Sequence, residues 1–259
     1  GPARVGLGGG VVADSVIGDE WAEVGIKGQF LAADSTLERP GLIETMGLGM
    51  AGEIPWLERH LARLAASARA LGIPLDDRLA RDMIEEQRAV RAARGEMPWV
   101  VRLVLAADGT LSVTGRPPGV PPPELRVCLG GPVMDRRDGL LRHKTTRRAS
   151  LDQALAAARA AGCDDVLLRN GLGRVTEGTV RAVLVRLAGR WYAPPLTEGL
   201  LPSLWRETEL ARLGGRERPL TLEDLQGAEA IRMGNGVQGG RPVRRLEDAD
   251  GTLLWEAPT

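Results

Sequence analysis

The sequence predicts an α+β fold of two lobes with a site between them, on three observations. Helix-period and strand-period stretches are mixed in both halves without the regular strand–helix–strand alternation of a doubly wound sheet. A stiff Pro117–Pro123 run, PPGVPPP, divides the chain. The 259 residues, 43% of them hydrophobic, suffice for one large core or two smaller ones. This reading separates residues 1–30 as an N-terminal piece, 31–120 as a small lobe and 121–259 as a larger lobe.

The elements follow in order. Val5 to Val12 reads as a glycine-rich strand, followed by an acidic, helix-like stretch through Glu20, Glu23 and Lys27, and a break at Arg39-Pro40-Gly41. From Trp56 to Leu71, Leu57, Leu61, Leu64, Ala68 and Leu71 recur at three- and four-residue steps, predicting an amphipathic helix stopped by Pro74. A second helix over Leu75–Ala93 turns Leu79, Met83, Ile84 and Val90 inward. Trp99–Leu105 and Leu111–Thr114 flank Ala107-Asp108-Gly109, a hairpin signal. In the second half come strand Leu125–Leu129, helix Ala149–Ala161 closed by Gly162, strands Asp165–Leu168, Arg174–Thr176 and Val183–Leu187, and helix Trp205–Leu213. A glycine-dense turn over Gly234–Gly240 precedes a strand from Pro242.

Composition narrows the function. Thirty-four basic residues balance 34 acidic ones, so there is no basic excess of the kind that nucleic acid or an anionic membrane surface calls for. No apolar run is long enough for a membrane span and no signal-like N-terminal pattern is seen, so a cytoplasmic protein is expected. Cys128 and Cys163 are too few for a disulfide framework, lack metal-ligand spacing and read as core or helix-end residues; no metal is expected. Of the 34 basic residues only Lys27 and Lys144 are lysine. Arginine stays protonated, whereas lysine can lose its proton and attack a carbonyl, so each lysine points to a task that arginine cannot perform.

Three short runs carry the chemistry. Lys144 lies in Leu141-Arg142-His143-Lys144-Thr145-Thr146-Arg147, where an extended backbone would send His143 and Lys144 to opposite sides. Gly173-Arg174-Val175-Thr176-Glu177-Gly178-Thr179 sets a carboxylate at a strand end. His60 and Arg63 share a helical face in the HLARL run. With Glu44-Thr45-Met46 and Arg241-Pro242-Val243, and in this order, the runs resemble the fold type IV pyridoxal-phosphate enzymes of aminotransferase class IV. The resemblance spans about Leu42 to Arg245.

That resemblance implies a cofactor, pyridoxal 5'-phosphate, and a role for each matching residue. Lys144 would hold the aldehyde and act as base, and Glu177 would face the ring nitrogen, which must stay protonated for the ring to accept electrons. Arg63 would grip the phosphate together with backbone N–H groups of Leu204-Trp205 and Gly236-Val237, while Leu201 would lie against the ring. Thr45 would stand near the substrate. Both histidines are read as structural. Four departures weaken the phosphate site by about 1–3 kcal/mol or alter the mouth: Gly47 for an arginine, Trp205 and Gly236 for hydroxyl residues, and Arg181-Ala182 where an asparagine is usual.

The HKTTRR run is most like the 4-amino-4-deoxychorismate lyase domain of a fused para-aminobenzoate synthase. Glu20, Glu23 and Lys27 resemble the E-x-x-E-x-x-x-K end of the chorismate-binding domain, so residues 1–30 are expected to be a remnant of it, unable by itself to bind chorismate. The implied reaction releases pyruvate and leaves 4-aminobenzoate, a step of folate biosynthesis. The alternatives are a class IV aminotransferase for branched-chain or D-amino acids, or a degenerate, cofactor-poor domain of a para-aminobenzoate synthase. The resemblance also implies a homodimer, and a synthase or amidotransferase association through the missing domain.

Overall fold

A computed structural model describes residues 39–258; the expectations for Glu20, Glu23 and Lys27 lie outside them. Three antiparallel strands form the first sheet in sequence order: β1 (Leu42–Leu48), β2 (Trp99–Leu105) and β3 (Leu111–Arg116). The β2–β3 hairpin closes as its sequence predicts. Asp108 Oδ1 accepts from the Thr110 N–H at 2.8 Å, and Gly109 takes the positive φ that side chains disfavour. Leu42, Met46, Val101 and Leu103 on one face of this sheet pack under two helices, α1 (Leu57–Leu71) and α2 (Asp77–Ala93), through Leu64, Ala68, Ala80 and Ile84. Two details differ from the sequence reading. α1 ends at Gly72, whose left-handed backbone turns its N–H back to the carbonyls of Ala68 and Arg69, before Pro74 is reached. Leu79 falls in the first turn of α2 and is exposed, and Ala80 makes the core contact instead.

The second sheet has nine strands: β4 (Leu125–Leu129), β5 (Asp165–Arg169), β6 (Val175–Gly178), β7 (Ala182–Leu187), β8 (Arg190–Ala193), β9 (Arg216–Glu217), β10 (Ala230–Asn235), β11 (Gly239–Glu247) and β12 (Leu253–Glu256). They run in the order β6-β5-β4-β11-β10-β7-β8-β9, with β12 on β11. β11 joins the two halves: its first residues pair with β10 and its later ones with β4 and β12. Leu125, Val127, Leu167, Val183, Val185, Met233 and Leu246 form the core under it. Helices α3 (Ala149–Ala160), α4 (Leu204–Arg212) and α5 (Leu222–Gln226) complete the unit. Among the described residues, no helix is long and apolar enough to cross a membrane.

The cysteines occupy core and helix-end positions as their sequence predicts, and the strand order adds a bond between them. Cys128 and Cys163 are disulfide-bonded. β4 and β5 are parallel neighbours with Val127 opposite Asp165, which brings residues 35 apart in sequence side by side.

The glycine-dense turn also has a specific cause. Trp205 is buried, and its indole lies so close to the β10–β11 hairpin that a Cβ on Gly240 would sit 2.7 Å from it and one on Gly234 2.5 Å. Gly240→Ala is therefore expected to cost about 1–3 kcal/mol in urea unfolding, from overpacking. In a Trp205→Leu background most of that penalty should vanish; an unchanged penalty would show that the indole does not set it.

Candidate active site

A cavity of about 820 Å³ is lined by Thr45, Val100 and Arg102 of the first sheet, by His60 and Arg63 of α1, and by Lys144, Glu177, Leu201, Leu204, Gly236 and Val237. Main-chain bonds to the first sheet fix the lysine. The Ile43 N–H donates to the Lys144 carbonyl at 2.7 Å and the Thr146 N–H to that of Gly41 at 2.8 Å; the Gly41 N–H returns to Thr146 Oγ1 at 3.0 Å. His143 also reaches the cavity wall, contrary to the strict alternation expected, but its Nδ1 is held 2.9 Å from Ser67 Oγ. Burial in the cavity wall lowers the Lys144 pKa to about 8, helped by Arg148 and Arg63 and opposed by Glu44 and Glu177. A useful fraction of free amine is present near neutral pH.

Glu177 stands at the end of β6, as its sequence predicts, one residue before the strand's last, Gly178. Its Oε1 accepts the Leu201 N–H at 3.0 Å. Burial raises its pKa to about 7, against the opposing pull of the Leu201 N–H, Lys144, Arg148 and Arg206. The turn that follows is pinned. Buried Asp165 accepts the Thr179 N–H at 2.9 Å and Arg181 Nη1 at 3.2 Å, and Arg181 Nη2 donates to Gln238 Oε1 at 2.8 Å. Arg181 thus ties the acid's turn to the neighbouring glycine turn.

Buried Glu44 organises the third part. It accepts Arg63 Nε at 2.8 Å and Arg63 Nη2 at 2.7 Å, and His60 Nδ1 lies 2.7 Å from Oε2. Burial alone would raise the Glu44 pKa; the bonds from His60 and Arg63 outweigh it and hold the carboxyl ionised, below the usual range. Arg63 Nη1 also donates to the Pro202 carbonyl at 2.8 Å. Of the five guanidinium N–H groups, two remain for a ligand. Beside them lie the first N–H groups of α4, at Leu204 and Trp205, which have no partner within the helix; Ser203 Oγ takes the third, from Arg206, at 3.3 Å. Opposite lies the Gly236–Val237 turn. The Val237 N–H is committed to Asn235 Oδ1 at 3.0 Å, so that expected donor is already used, whereas the Gly236 N–H has no backbone partner among the described residues. The Trp205 side chain faces the core, so only its backbone serves the cup.

The predicted Lys144, Glu177, Arg63, Thr45, Leu201, Leu204, Gly236 and Val237 therefore meet on one cavity. Its donors suit a phosphate-sized anion at one end and a flat heterocycle with a basic nitrogen beside Glu177. Sequence reasoning missed Arg102, which pairs with Thr45 across β1–β2, and Arg148, whose Nη2 donates to the Thr179 carbonyl at 2.8 Å. It also missed Glu44 as the partner of Arg63. A lone acid in an otherwise apolar stretch was the available signal for that one.

With this geometry in view, the relationships are clear. The fold is that of the fold type IV aminotransferases. Residues 41–246 match the family model for amino-transferase class IV, and the chain belongs to that family. A candidate aminodeoxychorismate lyase of Schizosaccharomyces pombe is 29% identical over 163 residues, covering 61% of this chain and 69% of that one. The crystal structure of a candidate amino-acid aminotransferase from Mesorhizobium loti has 32% identity and a TM-score of 0.72, covering 80% of this chain and 99% of the other. A hypothetical aminotransferase from Mycobacterium tuberculosis, in its PLP-bound form, shares the fold at 23% identity and TM-score 0.73, with 88% and 86% of the chains covered.

Glu177 yields a stability test. Its folded pKa lies above its ordinary value of 4.5, so the neutral form is the favoured one. No penalty exists below about pH 4, and one develops as pH rises through about 7. Glu177→Gln keeps an acceptor for the Leu201 N–H. It should stabilise the ligand-free protein at about pH 8 by on the order of 1–3 kcal/mol and leave it unchanged at about pH 4. Thermal unfolding at the two pH values measures this.

Proposed function

We propose that this chain is a pyridoxal-phosphate enzyme that eliminates pyruvate from 4-amino-4-deoxychorismate, leaving 4-aminobenzoate. One observation carries the reading: an amine titrating near 8, an acid titrating near 7 and a guanidinium with two N–H groups to spare line a single cavity. When bound, pyridoxal phosphate supplies an electron sink for the pair left on a deprotonated carbon. Every other part falls to the chain. Lys144 Nζ would hold the cofactor's aldehyde carbon and, once freed by the substrate amine, would take the proton from the aminated ring carbon. Glu177 would face the ring nitrogen as a carboxylate, and a positive charge there would favour its ionised form. Arg63, the Leu204 and Trp205 N–H groups and the Gly236 turn would hold the phosphate, and Leu201 would lie against the ring. Thr45 lines the cavity, and its hydroxyl would stand near the substrate.

A substrate with more than one carboxylate is supported by the two arginines that line the cavity, Arg102 and Arg148. The S. pombe relative points the same way. The second reading, an aminotransferase for branched-chain or D-amino acids, is favoured by the M. loti structure. The cofactor-poor alternative is disfavoured because two Arg63 N–H groups remain free beside the start of α4, although the Val237 N–H is taken by Asn235. The same proposal includes a homodimer, a cytoplasmic site of action, the division into lobes near residue 120 and, through a preceding domain, association with a synthase.

Borohydride reduction with pyridoxal phosphate should place the adduct on Lys144 by peptide mapping, with a trapping rate half-maximal near pH 8. An adduct elsewhere, or none, removes the proposal. Pyruvate release from aminodeoxychorismate, against amino-group exchange with D-alanine or leucine, separates lyase from aminotransferase. Lys144→Ala should abolish whichever activity is found.

A further inference from the structure

The Gly236–Val237 turn has little of its own with which to hold a phosphate. Neither residue carries a hydroxyl, and the N–H groups of Val237 and Gln238 both donate to Asn235 Oδ1, at 3.0 and 2.9 Å. The Gly236 N–H is left as the turn's donor. Glycines at 234, 236, 239 and 240 give the hairpin unusual backbone freedom. A donor on such a loop binds weakly, because ordering the loop offsets part of the contact it makes.

The turn after Glu177 supplies the missing rigidity. It is closed by the Gly178 N–H on the Arg181 carbonyl at 2.7 Å, and it is tightly packed: a Cβ on Gly178 would lie 2.5 Å from Met233 Cε and 2.9 Å from Asp165 Oδ2. The β7–β10 ladder ends at Ala182 and Gly234. Beyond it, side chains make the connection. Asn235 Nδ2 donates to the Val180 carbonyl at 3.2 Å, and Arg181 Nη2 to Gln238 Oε1 at 2.8 Å. Both struts end on residues that fold the glycine turn. Arg181 is anchored behind, its Nη1 donating to Asp165 Oδ2 and to the Asp164 carbonyl, each at 3.2 Å. Asp165 is itself fixed by the N–H groups of Val166 and Thr179, at 2.8 and 2.9 Å. Arg181 is 6% exposed and matched by Asp165, so what it contributes is position rather than an unmatched charge.

We propose that Arg181 is a positioning residue. Acting through Gln238, it holds the Gly236 N–H at a fixed place relative to Glu177, so that the phosphate and the ring nitrogen of one cofactor are met together. This inference rests on the proposed cofactor reading. It assigns a task to a side chain that the sequence marks only as a departure from the family pattern, and it gives a turn without hydroxyls a preformed donor instead.

Two variants of the full chain test it. Gln238→Ala removes the acceptor and leaves the buried Asp165–Arg181 pair intact. Arg181→Lys keeps a cation for Asp165 but lacks the fork that spans Asp165 and Gln238. Each should weaken pyridoxal phosphate roughly tenfold and pyridoxal, which lacks the phosphate, by less than about twofold. The double variant should lose no more than either single one, because both break the same strut. Inorganic phosphate, followed at the Gly236 N–H resonance, should show the same loss. Equal losses for the two aldehydes would mark a general structural role and overturn the inference, and so would additive losses in the double variant. Should a variant fail to fold, the wild type decides: guanidinium protons of Arg181 that exchange as fast as those of an exposed arginine mean that the strut is not formed. Wild-type binding of pyridoxal phosphate that both variants retain defeats only this inference, whereas a wild type that binds neither phosphate nor pyridoxal phosphate defeats the cofactor reading as well.

Discussion

A carboxylate removed from water inside a sheet is destabilising by several kcal/mol unless its charge and lone pairs are satisfied. Glu44, 1% exposed on β1, meets that condition by binding Arg63 through two nitrogens and His60 through a third. The consequence is geometric. α1 cannot rotate or slide against β1 without breaking a buried charge pair, so the guanidinium and imidazole arrive at the cavity already oriented. Arg63 is held from a second direction by the Pro202 carbonyl, which also fixes where α4 begins. Three pieces distant in sequence, around residues 44, 60 and 202, are thereby locked into one corner of the cavity.

The opposite end of the cavity works by a different balance. Lys144 and Glu177 each lose hydration on burial, and each is displaced toward its neutral form, to about 8 and about 7. Groups whose charges are this weakly held respond strongly to what binds beside them. An amine that is partly free can attack an aldehyde, and an acid near neutrality becomes a firm anion once a protonated ring nitrogen approaches. Rigid backbone contacts support both: Lys144 is tied to Ile43 through its carbonyl, and Glu177 is braced by the Leu201 N–H and by the Asp165–Arg181 pair behind its turn.

Packing and ligand binding compete for the same positions near α4. Trp205 fills the space over Gly234 and Gly240 and anchors the start of the helix against the β10–β11 hairpin. The indole cannot also offer a hydroxyl to a phosphate, and Gly236 offers only its backbone.

Much of this protein was legible in its residue order. The helix pair before residue 94, the β2–β3 hairpin and strands β4, β5 and β7 follow from periodicity and turn chemistry, which are local properties. The two lysines in an arginine-rich chain singled out Lys144, and the order of short runs singled out Glu177 and Arg63. β1 escaped because its acid and threonine break the apolar pattern, and their purpose appears only when α1 and β2 are packed against them. The Cys128–Cys163 bond, the need for Gly234 and Gly240, the commitment of the Val237 N–H to Asn235, and the convergence of His60 with Gly236 depend on contacts between residues far apart in sequence. Residue type and spacing determine what chemistry a chain can perform. Which groups are buried, paired or left with a free nitrogen is decided only when distant segments share one cavity and water is excluded from between them.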